Sequence, residues 1–226
     1  MSLWSRISEA LSALASGEGL FTVFEKLRSP PERSVAFAIA VIALSAKMAK
    51  ADGQVTRDEV TAFREVFHIA TQDEAGAAKV FNLARQDVAG FEEYASRIQK
   101  MFAQEHETLN DLIEGLFHIA MADGFYHPNE NAFLERVAEI FDLKANQFNA
   151  LRARFVPDAP RDPYLILGVD PSMSKEDIRQ VWRKLVRENH PDVMMARGVP
   201  LEAVHLAARR MSDFNRAWDD IESGAA

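Results

Sequence analysis

The sequence predicts an all-α protein, and three observations predict it. Nearly every periodic stretch of the 226 residues repeats at helical spacing, and no segment alternates apolar and polar residues as a half-buried strand does. An Asp-Gly turn between two apolar-periodic stretches occurs twice, 71 residues apart. Beyond the second copy, proline and capping residues divide the chain at intervals that suit short amphipathic helices. The expected architecture is a helical bundle with a two-fold internal repeat, followed by a C-terminal helical hairpin.

Composition narrows the function classes. Hydrophobic residues make up 48% and charged residues 27%, an ordinary globular mix. A net charge of -8 and a pI near 5.3 argue against non-specific binding to nucleic acid or anionic lipid. Without cysteine there are no disulfides and no thiolate metal sites. The longest charge-free apolar run, Ser34 to Ala46, has 13 residues, against the ~20 that a membrane span needs. It starts too late for a signal peptide and lacks a small-residue cleavage signature. A buried helix in a soluble, cytoplasmic protein is therefore expected, without membrane association.

Four segments follow in order. Residues 1–28 place Leu3, Ile7, Leu11 and Leu14 on one face, an amphipathic helix without the Lys/Arg excess of a membrane-surface helix. Packing against the rest of the chain, or against a second copy, is the expectation. Residues 29–155 hold the repeat, in which Ala51-Asp52-Gly53 aligns with Ala122-Asp123-Gly124. In register, Met48 matches Ile119, Glu59 matches Glu130, Phe63 matches Leu134 and Val66 matches Val137. Glycine accepts the left-handed backbone such a turn needs, and Thr56 and Pro128 suit the start of the following helix. Residues 156–161 open a proline-rich linker, "VPDAPRDP", short enough for the flanking halves to pack together.

Residues 162–226 restart the pattern. Asp162 caps a short helix with Pro163 at its first position, ended by Gly168. Ser174, with Asp177 three residues on, opens a helix over about 175–189. Its apolar stripe is Ile178, Val181, Trp182 and Leu185, while Arg179, Arg183 and Arg187 stack at four-residue spacing on another face beside Lys184. Pro191 cannot continue that helix, so the chain turns at His190. A last helix over about 201–222 puts Val204, Ala208, Met211, Phe214, Trp218 and Ile221 on one side.

The stretches "DPYLILGV", "IRQVWRKLVRENHPD" and "FNRAWDDI" resemble the J-domain of DnaJ-type co-chaperones from Asp162 to about Ser223. The Asp-Gly repeat looks like the TerB-like domain, and the order of the two, with "MMARGVPLEAV", is similar to the DjlA group. That resemblance implies a partner, a DnaK-type chaperone ATPase, whose ATP hydrolysis the J-domain accelerates. It carries the signature to His190, Pro191 and Asp192, and the docking face to Arg179, Arg183 and Lys184, with Arg187 added. Three positions depart from the family's pattern: Asn189 where an aromatic often stands, Val193 where a basic residue often follows, and Trp182 for the commoner Tyr. No cofactor and no chemistry of its own are expected.

Rival readings carry less weight. Some TerB-type proteins are linked to metal or tellurite stress, which raises Asp52, Glu59, Asp123 and Glu130 as candidate ligands, flanked by His118 and His127. The simpler account is that Asp serves a turn and Glu a helix start, so no metal site is expected. His190 with Asp192 lacks a nucleophile, a phosphate loop or a second histidine at ligand spacing, so no enzyme site is expected. Residues 161–226 hold 10 basic and 11 acidic residues, a net near -1 that speaks against nucleic acid. The alternative kept open is a helical adaptor or stress-response scaffold with a vestigial J-domain. The bundle's job is also open: client binding, homodimerisation, localisation or ion sensing.

Overall fold

The computed structural model describes residues 6–7, 32–52, 74–75, 77–78, 81–82, 90–103, 105–156, 161–200 and 204–224. Among them every regular element is helical: α1 (Glu32–Asp52), α2 (Phe91–Met101), α3 (His106–Ala120), α4 (Pro128–Ile140), α5 (Ala145–Phe155), α6 (Pro163–Leu167), α7 (Lys175–Glu188), α8 (Pro191–Ala196) and α9 (His205–Ser223).

The apolar run read from the sequence lies within α1. From Val35 to Leu44 no side chain is more than 1% exposed, because α2, α3 and α4 all pack against it. A helix that is apolar all round needs such a coat. Among the described residues no helix is long and apolar enough to cross a membrane. Lys47, also buried, holds its ammonium 4.7 Å above the ring of Tyr94, which offsets part of its desolvation.

The second repeat unit is α3, a turn and α4. Gly124 takes φ 82° in the turn, and the Asp123 carboxylate accepts from the Phe125 amide at 2.9 Å. Pro128 begins α4, and Glu130 reaches back to accept from the His127 amide at 2.9 Å. In the first unit the structure describes α1 to its end at Asp52. Gly53, Thr56, Glu59, Phe63 and Val66 lie outside the described residues, as does the N-terminal helix apart from Arg6 and the buried Ile7.

In the last third, the Asp162 carboxylate accepts from the Tyr164 and Leu165 amides at 2.9 and 3.4 Å, starting α6. Gly168 ends it at φ 67°, with open space around the position a Cβ would take. Gly168→Ala is expected to cost about 1–2 kcal/mol through backbone strain alone, read as a lower midpoint in urea with an unchanged slope.

α7 and α9 run antiparallel. Asn189 meets Arg210 near one end, Trp182 stacks on Trp218 midway (5.3 Å, 13°), and Lys175 reaches the Glu222 carbonyl at the other end. The Trp182 indole N–H donates to Asn215 at 3.0 Å, so both the ring and its polar edge are satisfied. Leu167, Ile178, Phe214, Ala217, Trp218 and Ile221 form the core between α6, α7 and α9.

Two sequence-based expectations need correction. The chain does leave α7 at His190, but Pro191 then opens a further short helix, α8. Its fixed φ and missing N–H suit a first helical position as well as they break an interior one. In α9, Ala208 is exposed and Met211 only half-buried, whereas Leu206, Ala207 and Arg210 are buried. That half of α9 faces the bundle rather than α7, and an arginine occupies one of its inward positions. Met194, Val199, Leu206 and Ala207 belong to the same apolar core as α1, α3 and α4. Burying each of the three larger side chains contributes roughly 1.5–3 kcal/mol, and α6 also packs on α5. The bundle core thus extends into the last third of the chain.

Candidate functional site

The candidate surface is built on α7. Ser174 starts the helix: its hydroxyl oxygen accepts from the Asp177 amide at 3.2 Å, and its hydroxyl donates to the Asp177 carboxylate at 2.6 Å. Asp is one methylene shorter than the Glu of a full capping box, and it meets the hydroxyl rather than the Ser174 amide. Ile178 anchors the inner face. With that side fixed, Arg179, Arg183, Lys184 and Arg187 all come out exposed. Lys184 makes an exposed ion pair with Glu188 at 3.8 Å, worth a few tenths of a kcal/mol at most.

Past the end of α7, His190 caps α8. Its Nδ1 accepts from the Asp192 amide at 3.3 Å and lies 3.6 Å from the Asp192 carboxylate. An accepting Nδ1 places the neutral ring's proton on Nε2. Side-chain exposure is 52% for His190 and 78% for Asp192, so both polar groups are presented to solvent beside the cationic row. A groove of about 660 Å³ opens next to them, lined by His190, Pro191, Ala208, Met211 and Asn215 among others. The exposed Ala208 is part of the wall of that groove.

The candidate metal ligands among the described residues have other roles. Asp123 and Glu130 serve the turn and the start of α4, and His127 lies 3.8 Å from Asp123. His118 sits against Arg209 at 3.0 Å and edge-on to Phe155. Among the described residues no cluster of three or more His, Cys, Asp or Glu forms a metal site. The Asp52 side chain and Glu59 lie outside them.

Behind the exposed face is a buried ionic network that the sequence reading did not find. Asp111 and Glu114, both on α3 with side chains 1% exposed, meet arginines from three other places in the fold. Arg210 of α9 contacts Asp111 at 2.7 Å and also pairs with Glu114. Arg197, just after α8, lies 3.2 Å from Asp111, and Arg154 of α5 lies 2.8 Å from Glu114 and 3.1 Å from Asp213. Burial pushes the Glu114 carboxyl up, but Arg154 and Arg210 outweigh it and hold it below the usual range. For Asp111 burial wins over Arg210 and Arg197, and the carboxyl is raised. The network also reaches the signature. Arg210 donates at 2.5 Å to the side-chain oxygen of Asn189, whose amide nitrogen donates to the Leu185 carbonyl at 2.7 Å. The polar residue preceding His190 thus has a buried partner that an aromatic side chain would not satisfy.

A profile of the family described as "Tellurite resistance protein TerB" matches residues 38–153, and the profile of the DnaJ domain matches residues 162–213. The proteins named Co-chaperone protein DjlA from Vibrio parahaemolyticus and Escherichia coli strain K12 are each 26% identical to the chain. The first alignment covers 88% of this chain and 81% of the relative; the second covers 98% of both. The DjlA of Photobacterium profundum is 26% identical over 84% of this chain and 78% of its own length. No solved structure matches. A TerB domain across half the chain, a J-domain directly after it and relatives aligned along most of both place this chain in the DjlA-like group of DnaJ-type co-chaperones.

Proposed function

We propose that the chain docks on a DnaK-type chaperone ATPase through the outer face of α7 and the signature His190-Pro191-Asp192, and stimulates its ATP hydrolysis. The observation that carries the reading is exposure. Met194 and Val199 after the signature and Leu206, Ala207 and Arg210 at the start of α9 are buried against the bundle, yet Arg179, Arg183, Lys184, Arg187, His190 and Asp192 are exposed.

Each part has a separate task. The cations steer an acidic partner and set its orientation, acting on the rate of encounter more than on the final affinity. The fixed bend at Pro191 presents a hydrogen-bonding ring and a carboxylate at one point beyond the row. Short-range contacts there favour one state of the ATPase over another, the condition for coupling between sites. Bond breaking happens on the partner, and this chain supplies no reacting group.

The test is single-turnover ATP hydrolysis by a bacterial DnaK with and without the intact chain. Clear acceleration is expected; none would favour the scaffold reading. Salt separates the cationic row from the signature. Stimulation at sub-saturating chain is expected to fall several-fold as ionic strength rises from ~0.1 M to ~1 M and the screening length shrinks from ~10 Å to ~3 Å. Salt-independent stimulation would remove the row from the docking face.

A further inference from the structure

The signature is flanked on both sides by residues that lead back to the same carboxylate. On the near side, Asn189 is buried at the end of α7 and accepts from Arg210 at 2.5 Å, and Arg210 meets Asp111 Oδ1 at 2.7 Å. On the far side, α8 carries Met194, fully buried in the bundle core, and is followed directly by Arg197, which meets Asp111 Oδ2 at 3.2 Å. Between the two anchors lie His190, Pro191 and Asp192, where the His190 ring accepts from the Asp192 amide at 3.3 Å and lies 3.6 Å from the Asp192 carboxylate. Thr108, one turn before Asp111, adds a long contact of 3.5 Å to the Arg197 carbonyl.

We infer that Asp111, a residue of the TerB bundle, is a positioning residue for the J-domain signature, holding both flanks of His190-Pro191-Asp192 through Arg210–Asn189 and Arg197. The role rests on the docking proposed above and gives the bundle a part in it. A short exposed bend between two helices has little to fix its direction by itself. One carboxylate with its two oxygens committed to opposite flanks removes that freedom without touching the exposed face. The geometry belongs to the composite of the two domains: the arginines and Asn189 come from the last third of the chain, and Asp111 comes from α3.

Two readouts separate positioning from bulk stability in the full-length protein. The first is amide hydrogen exchange at Met194, which donates to the His190 carbonyl, and at Arg197, which donates to Val193. The second is stimulation of a bacterial DnaK across a concentration series. Asn189→Leu removes the polar link at similar size, whereas Asn189→Asp keeps an acceptor for Arg210. Asn189→Leu and Asp111→Asn are expected to speed exchange at those two amides roughly tenfold. Maximal stimulation should fall by about tenfold or more, in the way small misplacements act on a reaction. The half-saturating concentration should stay within about twofold, since the α7 cations that steer encounter remain in place. Asn189→Asp should restore both readouts. Should Asp111→Asn fail to fold, the two Asn189 variants decide alone. Full maximal stimulation and unchanged exchange in Asn189→Leu would overturn the inference, as would a loss confined to the half-saturating concentration. If the unaltered chain gives no stimulation, the docking reading falls, and the exchange comparison still decides whether the clamp exists.

Discussion

His190→Gln and Asp192→Asn are each expected to return ATP hydrolysis by the DnaK-type partner to its unstimulated rate while leaving the fold intact. The expectation of an intact fold comes from exposure: both side chains are exposed, and the contacts between them, an amide hydrogen bond of 3.3 Å and an ion-pair distance of 3.6 Å, lie at the start of a six-residue helix. Surface changes of this kind stay within about 0.5 kcal/mol, about 1–2 °C in melting temperature at this size. Function has no such reserve. Coupling of about 1–3 kcal/mol amounts to a 5- to 150-fold shift between two states of a partner. One hydrogen bond to a charged group supplies about 1.5–3 kcal/mol, so a single lost contact at the bend is enough to erase the effect. The cations of α7 cannot replace it, because they act over distance and do not distinguish two conformations of a buried partner group. Matching circular dichroism and melting curves establish the intact fold. Stimulation surviving in both variants would refute the role of the signature.

What the sequence made legible follows from how locally each feature is determined. The α1 core helix, the Asp162 and Ser174 starts, the Gly168 stop and the two faces of α7 depend on neighbours within a turn or two, and each stands as read. The cationic row could be placed on an outward face because Ile178 turns inward, and the signature lies past the end of α7, at the start of α8. The phase of early α9 could not be placed. Apolar spacing put Ala208 and Met211 on the inward side with Val204; Val204 does pack on the core, but the helix turns so that Arg210 faces Asp111 and Glu114 and Ala208 is exposed. A signal was present in α3, where Asp111 and Glu114 interrupt Leu109, Leu112, Ile113, Leu116 and Phe117 on a stripe that is otherwise apolar. Two acids inside such a stripe ask for buried cations, but a sequence alone does not say which of its arginines come from 40 or more residues away. Asn189, a departure when set beside the family pattern, becomes an ordinary buried amide once Arg210 is beside it.

Glu114→Gln is expected to lower stability by about 3–5 kcal/mol, a fall in melting temperature on the order of 10 °C at roughly 2–4 °C per kcal/mol. The carboxylate lies between Arg154 and Arg210 in the interior joining α3, α5 and α9, and neutralising it leaves those cations short of a counter-charge where water cannot replace it. Asp111→Asn should cost less at neutral pH. Burial already holds the Asp111 carboxyl above the usual range and so disfavours its charged form, while the two arginines hold Glu114 below that range and favour the charged form. The pH dependence follows from the same signs. Glu114, with its folded pKa lowered, contributes in full above the ordinary carboxylate range near ~4.3 and loses that contribution as acid protonates the folded protein. The gap between the unaltered chain and Glu114→Gln should therefore narrow as pH drops below about 4. Asp111 works in the opposite direction, regaining stability as pH falls. Removing charge in matched pairs gives the decisive comparison: Glu114→Leu with Arg210→Met should recover much of what Glu114→Gln loses, since swapping a buried pair for apolar groups is often close to neutral. Chemical denaturation of the three variants at neutral and acid pH reads all of this. Equal midpoints for Glu114→Gln and the unaltered chain would mean that the two halves are joined by their shared apolar core alone, with the ions as passengers.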